Sequence, residues 1–356
     1  MKTAPAEPSR PIAPAASARI AELRGEGVLF ARTGEGFELP IIDVGHPRFA
    51  VPTDPGSAEE LYAAFAEAER KRARIPRLVM RFMIRSAAKR SRLMRSMFGV
   101  HHGYLDGLST YVMKLGPDNL VPPYDDPMDL KLAASPHVKL LRLRMQQTAT
   151  MLAEGLAGEL GTAAAGSPLD LVNIGGGPAI DSLNTLMRLQ RSHPALLDRP
   201  IVIHVLDRDE AGPHFGKAVL EVLCMPGHPL AGRDIRLERM DYDWDRTGPL
   251  GDLLQQLAAQ GGVVAVSSEG ALFEYGSDAA IVANLRSLHA AGVRLVAGSV
   301  TRDDETRRRM IEATGFRLVP RGIQGFAPLA EQAGFRIAET ENAWLSDQVL
   351  LLPARQ

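Results

Sequence analysis

Short apolar runs alternate with amphipathic stretches throughout the second half of the chain. Seven runs have the composition of strands, at Leu169–Ile174, Ile201–Leu206, Ile235–Met240, Gly262–Val266, Val293–Ala297, Phe335–Glu339 and Gln348–Leu352. Helical spacing occupies three of the intervals, at Ala211–Leu223, Leu250–Ala259 and Ala279–Ala291. Strands that alternate with helices of about 10 to 15 residues are typical of βαβ units. The pattern therefore predicts an α/β domain built on a parallel sheet.

The first part of the chain has a different pattern, which predicts a β-hairpin followed by helices. The hairpin strands are expected at Val28–Arg32 and Phe37–Ile42, on either side of a loop that contains glycine. Helices are expected at Ala58–Arg74, Arg77–Met97 and Gly103–Leu115, and a long one from Pro136 to about Leu160 with Ser135 as its N-cap. We expect a disordered tail over 1–18, a helical cap over 19–136 that ends after a proline-rich linker at 120–127, and the α/β domain over 137–356.

Three consecutive glycines follow the first apolar run of the α/β domain. Ile174 is followed by Gly175, Gly176 and Gly177, and Pro178 and a helical pattern come next. Glycine lets the backbone approach a ligand closely, and the free N–H groups at a helix start bind polar or anionic groups. A nucleotide or nucleoside is the ligand that this turn favours. The alternative is that the glycines only pack a helix tightly against the sheet.

An acidic residue ends the second apolar run. Asp207 follows Leu206 directly, and its carboxylate oxygens are suited to accept both hydroxyl protons of a ribose. The dinucleotide fingerprint requires an acid about 20 residues after its first glycine. Asp207 lies 32 residues after Gly175, so the spacing favours a cofactor other than a dinucleotide.

From Asp170 onward the sequence resembles the class I S-adenosylmethionine (SAM) dependent methyltransferases, over roughly residues 137–353. In that family an acid-x-G-x-G-x-G turn follows the first strand and an acid ends the second. The resemblance implies a Rossmann-like seven-stranded sheet with the last strand antiparallel, SAM as co-substrate, and a small-molecule substrate of specialised metabolism. The cap is then expected to cover the mouth of the SAM site. Asn173 stands where the family has Asp or Glu, and it keeps the acceptor oxygen without the charge.

The resemblance also assigns residues to the cofactor. The acid-containing turn after the third strand is expected to reach the adenine, and the end of the fourth strand to face SAM and the substrate. The cofactor-binding residues expected are Asn173, Gly175, Gly176, Gly177, Asp207, Arg208, Asp241, Tyr242, Ser267 and Ser268.

Three further residues are candidates for catalysis. Glu269, at the end of the fourth strand, is expected to accept a proton or to hold a substrate amine; alternatively it is exposed and Ser267 and Ser268 cap the next turn. His102 and Tyr111 lie in the cap, where a histidine has a pKa suited to general-base catalysis. We expect no metal site, since no His/Asp spacing marks one.

The cofactor motifs leave a second enzyme class open. Gly175–Pro178, Ser182 and the acid-x-acid pair formed by Asp207 and Asp209 also resemble nicotianamine-synthase-like enzymes. Those enzymes move the aminocarboxypropyl arm of SAM rather than its methyl group, and a relative could cyclise that arm. A third possibility is a SAM fold that serves as a non-catalytic scaffold, which only Asn173 supports.

Composition narrows the partners. The net charge is −1 and charged residues make up 23% of the chain, which gives no electrostatic reason to expect nucleic acid. The single cysteine, Cys224, excludes an internal disulfide. The first residues have no apolar signal-peptide core and no run reaches the roughly 18 apolar residues of a membrane span, so we expect a cytoplasmic protein. A homodimer is the assembly expected.

One segment departs from this neutral balance. Residues 70–95 contain eleven lysines or arginines and no acid. Such a segment fits an anionic partner, such as an acidic lipid, a phosphate-bearing carrier or an acidic protein. The alternative is a solvated helix face, or one that meets acidic segments of the same chain.

Overall fold

The computed structural model describes residues 14–89, 91–99 and 106–354. Before the α/β domain it contains a small antiparallel hairpin and six helices. These elements are α1 (Pro14–Gly25), β1 (Phe30–Arg32), β2 (Glu38–Pro40), α2 (Pro55–Ala73), α3 (Arg77–Ala88), α4 (Arg92–Gly99), α5 (Gly107–Lys114) and α6 (Pro127–Ala133), with a 3₁₀ turn at Pro117–Asn119.

The remaining elements form the α/β domain. They are α7 (Pro136–Thr162), β3 (Leu169–Ile174), α8 (Ile180–Ser192), a 3₁₀ turn at Pro194–Leu197, β4 (Ile201–Leu206), α9 (Ala211–Leu223), β5 (Ile235–Met240), α10 (Gly248–Gln260), β6 (Val263–Ser268), α11 (Leu272–Tyr275), α12 (Asp278–Ala290), β7 (Leu295–Thr301), α13 (Glu305–Thr314), α14 (Gly322–Gln332), β8 (Phe335–Asn342) and β9 (Ser346–Pro353).

The domain is organised around one seven-stranded sheet in the order β5-β4-β3-β6-β7-β9-β8. The first five strands of this order are parallel, and β9 runs antiparallel to both β7 and β8. Asn173, near the end of β3, is in register with Val205 on β4 and Ser267 on β6, so these strands end at the same edge. The predicted α/β class, the seven strands and the antiparallel last strand are confirmed.

Helices cover both faces of the sheet, because the central strand is apolar on both. All six residues of β3 are buried. Leu171 packs into a core with α7, α8 and α9, whereas Val172 packs into a second core with α10, α12 and α14. Successive residues of a strand point to opposite faces, so this alternation sorts the helices into two layers.

The cap shares its core with the α/β domain. Leu23, Leu39 and Tyr111 belong to the same apolar cluster as the α8 and α9 side chains, and the Tyr111 ring meets the Phe215 ring at a centroid distance of 5.0 Å. The segment expected to be a linker, 120–127, contributes the buried Leu120 to that cluster. It is packed because its apolar side chains are buried, and the expected linker is corrected accordingly.

Two other expectations for the cap need correction. The helix expected over Arg77–Met97 is divided into α3 and α4, because Ser91 caps α4 and the Asp129 carboxylate accepts from the Leu93 N–H at 3.1 Å. Helix α1 starts at Pro14, within the expected tail, and 1–13 lie outside the described residues. None of the helices in the described ranges is long and apolar enough to cross a membrane.

Candidate functional site

A cavity of about 740 Å³ opens at the edge where the parallel strands end. Turns after β3, β4, β5 and β6 form one side of it, and α5 of the cap forms another. The lining residues used below are Gly107, Tyr111, Lys114, Arg144, Gly175, Gly176, Gly177, Pro178, Asp181, Asp207, Arg208, Asp209, Tyr242, Asp243, Trp244, Asp245, Glu269, Ala271, Tyr275 and Arg317. Ligands of open α/β sheets bind at this edge, so the position agrees with the sequence prediction.

The glycine turn forms a cradle that no side chain could enter. Gly175 has φ +68°, and a Cβ built on it would lie 2.4 Å from the Ala271 Cβ. Gly177 has φ +48°, and a Cβ there would lie 3.0 Å from the Cα of Gly107. Helix α5 therefore begins directly against the glycine turn, and the cap helps to shape the cavity.

Asp207 is tied to the glycine turn by hydrogen bonds. Its carboxylate accepts from the Gly177 N–H at 2.8 Å and from the Asp209 N–H at 2.9 Å. Burial raises the pKa of Asp207, and these two hydrogen bonds oppose that rise. Each oxygen keeps a lone pair that can accept a ligand hydroxyl. Arg208 beside it is exposed and paired with Asp243 at 2.7 Å.

The turn after β5 places different residues at the cavity from those expected. Asp241 is exposed and lies outside the lining, with the Arg239 guanidinium 3.9 Å away. Tyr242 and Asp243 line the cavity, and the Tyr242 hydroxyl donates to Asn284 at 2.6 Å. The adenine contact of this turn stays a prediction: three acids alternate along it, and Asp243 and Asp245 lie in the lining whereas Asp241 does not.

Asn173 is part of a buried hydrogen-bond network behind the cavity wall. Its amide nitrogen donates to Asp181 at 2.8 Å and to Ser267 at 2.5 Å, and its oxygen accepts from Ser182 at 2.8 Å. Asn173 and Ser267 are buried outside the lining, whereas Asp181 lines the cavity. The expected cofactor contacts of Asn173 and Ser267 stay predictions, and both side chains make internal hydrogen bonds.

Ser268 is also committed to the protein backbone. Its hydroxyl donates to the Ile174 carbonyl at 3.1 Å and accepts from the Leu272 N–H at 2.9 Å. Like Asn173 and Ser267, it lies outside the lining. The alternative interpretation, in which this serine caps the next turn, agrees with these contacts, and its expected cofactor contact stays a prediction.

Glu269 lies in a buried ion network. It pairs with Lys114 and with Arg144, each at 2.5 Å, and Arg144 also pairs with Glu274 at 2.9 Å. Burial alone would raise the pKa of Glu269, but Arg144 and Lys114 lower it to about 2. A carboxylate with so low a pKa is a poor proton acceptor at neutral pH. The alternative in which Glu269 is exposed is wrong, because its side chain is buried. Its low pKa disfavours proton acceptance, and its expected role toward the substrate stays a prediction.

Tyr111 and His102 are the two catalytic candidates in the cap. The Tyr111 hydroxyl donates to the Pro40 carbonyl at 2.6 Å and accepts from the Ile42 N–H at 3.0 Å. These two hydrogen bonds hold the hairpin against α5, and burial raises the pKa of Tyr111. Its expected catalytic role stays a prediction. His102 lies outside the described residues.

Several residues that line the cavity were not predicted from the sequence. Arg144 comes from the middle of α7, Asp181 from the first turn of α8, and Arg317 from the segment after α13. No local motif marks them, because each reaches the cavity only through tertiary packing. Arg144, for example, meets an acid 125 residues away.

Comparisons with known proteins show which solved structures resemble this fold. The sequence matches no family model, and no curated protein matches it. A possible exported protein from Bordetella parapertussis is 16% identical with a TM-score of 0.54, over 85% of this chain and all of that one. LepI in complex with SAM (15% identity, TM-score 0.36, 56% of this chain) and TnmH (17%, 0.36, 65%) are also similar. The chain spans 46% of LepI and 62% of TnmH. The likeness to the Bordetella parapertussis protein is one of fold, and the strand order makes that fold Rossmann-like.

Proposed function

We propose that this protein is a SAM-dependent transferase that methylates a small molecule. The observation that carries the proposal is the junction of Asp207 with the Gly177 N–H at 2.8 Å, at the carboxyl edge of the parallel sheet. This junction offers hydroxyl acceptors for a ribose beside a backbone cradle that excludes side chains. The cavity, at about 740 Å³, lies within the range of about 300–1,000 Å³ typical of small-molecule sites.

The charge of the cavity also suits SAM. Its lining contains more carboxylates than cations. The carboxylates are Asp106, Asp181, Asp207, Asp209, Asp243, Asp245 and Glu269, and the cations are Lys114, Arg144, Arg208 and Arg317. SAM contains a sulfonium cation, which an excess of negative charge stabilises. A dinucleotide brings a pyrophosphate instead, which such a lining disfavours.

Different residues of the chain would bind different parts of SAM. Asp207 would accept the ribose hydroxyls, and Tyr242, Asp243 and Trp244 would border the adenine. SAM, when bound, supplies an activated methyl group. Since Glu269 is held ionised by Lys114 and Arg144, the chain contributes mainly orientation of the two reactants.

A second candidate is transfer or cyclisation of the aminocarboxypropyl arm of SAM. Pro178 and Asp209, which carry the resemblance to nicotianamine-synthase-like enzymes, both line the cavity. Asp209 also accepts from the Gly212 N–H at 3.0 Å, which fixes it beside the glycine turn. Both candidates share one SAM site and differ in the bond that breaks.

The by-product distinguishes the candidates. We expect the purified protein, incubated with SAM and a small-molecule extract, to release S-adenosylhomocysteine, measured by liquid chromatography and mass spectrometry. Methylthioadenosine in its place would establish chemistry on the other arm and contradict methyl transfer. Binding of SAM without either product across extracts would favour the scaffold.

A further inference from the structure

We infer that Asp181 replaces the missing strand-end acid and binds the ammonium group of the SAM methionine arm, with Asn173 as its positioning residue. This inference rests on the proposed function. Asp181 lies in the first turn of α8, next to the glycine turn, and lines the cavity although it is only 3% exposed. A carboxylate at that point would meet a ligand that enters along the glycine cradle.

Asn173 and Asp181 form a matched donor and acceptor. The Asn173 amide donates to Asp181 at 2.8 Å, and the Ser267 hydroxyl also hydrogen-bonds to the Asp181 carboxyl. An acid at position 173 would place two carboxylates within hydrogen-bond distance, which costs free energy in a buried site. The asparagine is therefore the complement of an acid that lies eight residues later.

The surrounding charges favour a cationic guest. Burial raises the pKa of Asp181 and the charge of Glu269 raises it further, whereas Lys114 lowers it. Lys114 and Arg144 are already paired with Glu269, and no cation of the described residues forms an ion pair with Asp181. A ligand ammonium would stabilise its ionised form.

The test compares two ligands on one isosteric variant. For Asp181→Asn we expect SAM affinity to fall about 10- to 100-fold, the cost of a charge-assisted hydrogen bond. Affinity for 5′-methylthioadenosine, which lacks the amino acid arm, should stay within about twofold of wild type. The double variant Asn173→Asp/Asp181→Asn returns the charge to the strand end and should recover part of the SAM affinity.

Three results would contradict the inference about Asp181 or the proposed function. Unchanged SAM affinity in Asp181→Asn would contradict the inference while leaving the proposed function intact. An equal loss for both ligands would show that Asp181 only supports the fold of the cradle, and would also contradict it. Failure of the wild-type protein to bind either ligand would contradict the proposed function itself.

Helix α3 presents apolar side chains to solvent. Val79, Phe82 and Met83 are 47%, 74% and 50% exposed. Their spacing of three and four residues places them on one face of the helix. Arg85 in the last turn of α3 and Lys89 at its C-cap are exposed as well, and neither forms an ion pair with an acid of the described residues.

We propose that this face of α3 binds the surface of an anionic lipid bilayer. Apolar side chains that enter the headgroup boundary, flanked by cations that meet acidic lipids, are the features of interfacial helices. Residues 70–95 contain no acid to oppose the attraction. A purely electrostatic partner would leave the exposed Phe82 unexplained.

Vesicle sedimentation tests this proposal with a matched control. We expect the protein to sediment with phosphatidylglycerol-containing vesicles and not with pure phosphatidylcholine vesicles. The variant Phe82→Ser/Met83→Ser should lose most of this binding, whereas Met225→Ser, which removes a methionine that is 48% exposed elsewhere, should bind like wild type. No wild-type binding to anionic vesicles, or equal binding by Phe82→Ser/Met83→Ser, would contradict the proposal.

Discussion

Replacing Asp207 by alanine is expected to weaken SAM binding at least about 100-fold. Hydrogen bonds to a charged group contribute about 1.5–3 kcal/mol each, and the carboxylate would accept two from the ribose, so the loss is about 3–6 kcal/mol. The substitution also leaves the Gly177 and Asp209 N–H groups without their acceptor. The glycine cradle would then be joined to the end of β4 only by its other contact, from the Gly175 N–H to the Leu206 carbonyl at 2.8 Å, among the hydrogen bonds of the described residues.

Asp241→Ala is the matched control for this prediction. Asp241 is an aspartate at the end of the neighbouring strand β5, but it is exposed and lies outside the cavity. Calorimetry should give this variant the SAM affinity of wild type. If Asp207→Ala retained its affinity, the ribose assignment would be wrong. If Asp241→Ala lost affinity instead, the adenine would be bordered by Asp241 and not by Asp243 and Asp245, which line the cavity.

Replacing Glu269 by glutamine is expected to lower the free energy of unfolding by about 3–5 kcal/mol at pH 7. The change leaves Lys114 buried without a carboxylate partner, and Arg144 with only Glu274. Removing one partner of a buried ion pair has an effect of this size. Urea unfolding measures it. Glu210→Gln is the control, because its pair with Arg239 is largely exposed and its removal should change stability by less than about 1 kcal/mol.

The same variant has a specific pH dependence. The folded-state pKa of Glu269 is lowered to about 2, against about 4.3 in an unfolded chain. A lowered carboxyl pKa stabilises the fold above the unfolded value, and this contribution is lost as the pH falls from about 5 to 2. The stability difference between wild type and Glu269→Gln should therefore shrink at acidic pH. A difference that stayed constant from pH 7 to pH 3 would contradict the assigned network.

Local patterns were sufficient for the sheet and for part of the site. The strands at Ile201–Leu206 and Ile235–Met240 have the predicted limits. The first is an apolar run rich in β-branched residues, and the second alternates apolar with charged residues, and both patterns are typical of strands. The glycine turn and Asp207 were predicted together, since strand ends of a parallel sheet share one edge. The chemistry at the cavity floor was not, because Lys114, Arg144 and Glu269 lie on three elements that only the folded chain brings together.

Positions 173 and 181 show why the acid at the cavity could not be predicted from the sequence motif. In the sequence, Asn173 indicates a lost carboxylate at the cofactor site. In the fold, its amide donates to Asp181, which is itself at the cavity. A sequence motif predicts a carboxylate at one position of the sequence. The cavity requires only that a carboxylate lie at one position in space, and a residue elsewhere in the sequence can supply it.

Titration calorimetry of the wild-type protein with SAM, and separately with NAD, tests the central claim most directly. We expect a saturable heat with SAM at a stoichiometry near one per chain, and none with NAD, because the cavity combines an acidic lining with one ribose acceptor at Asp207. Saturable binding of NAD with no binding of SAM would contradict the account.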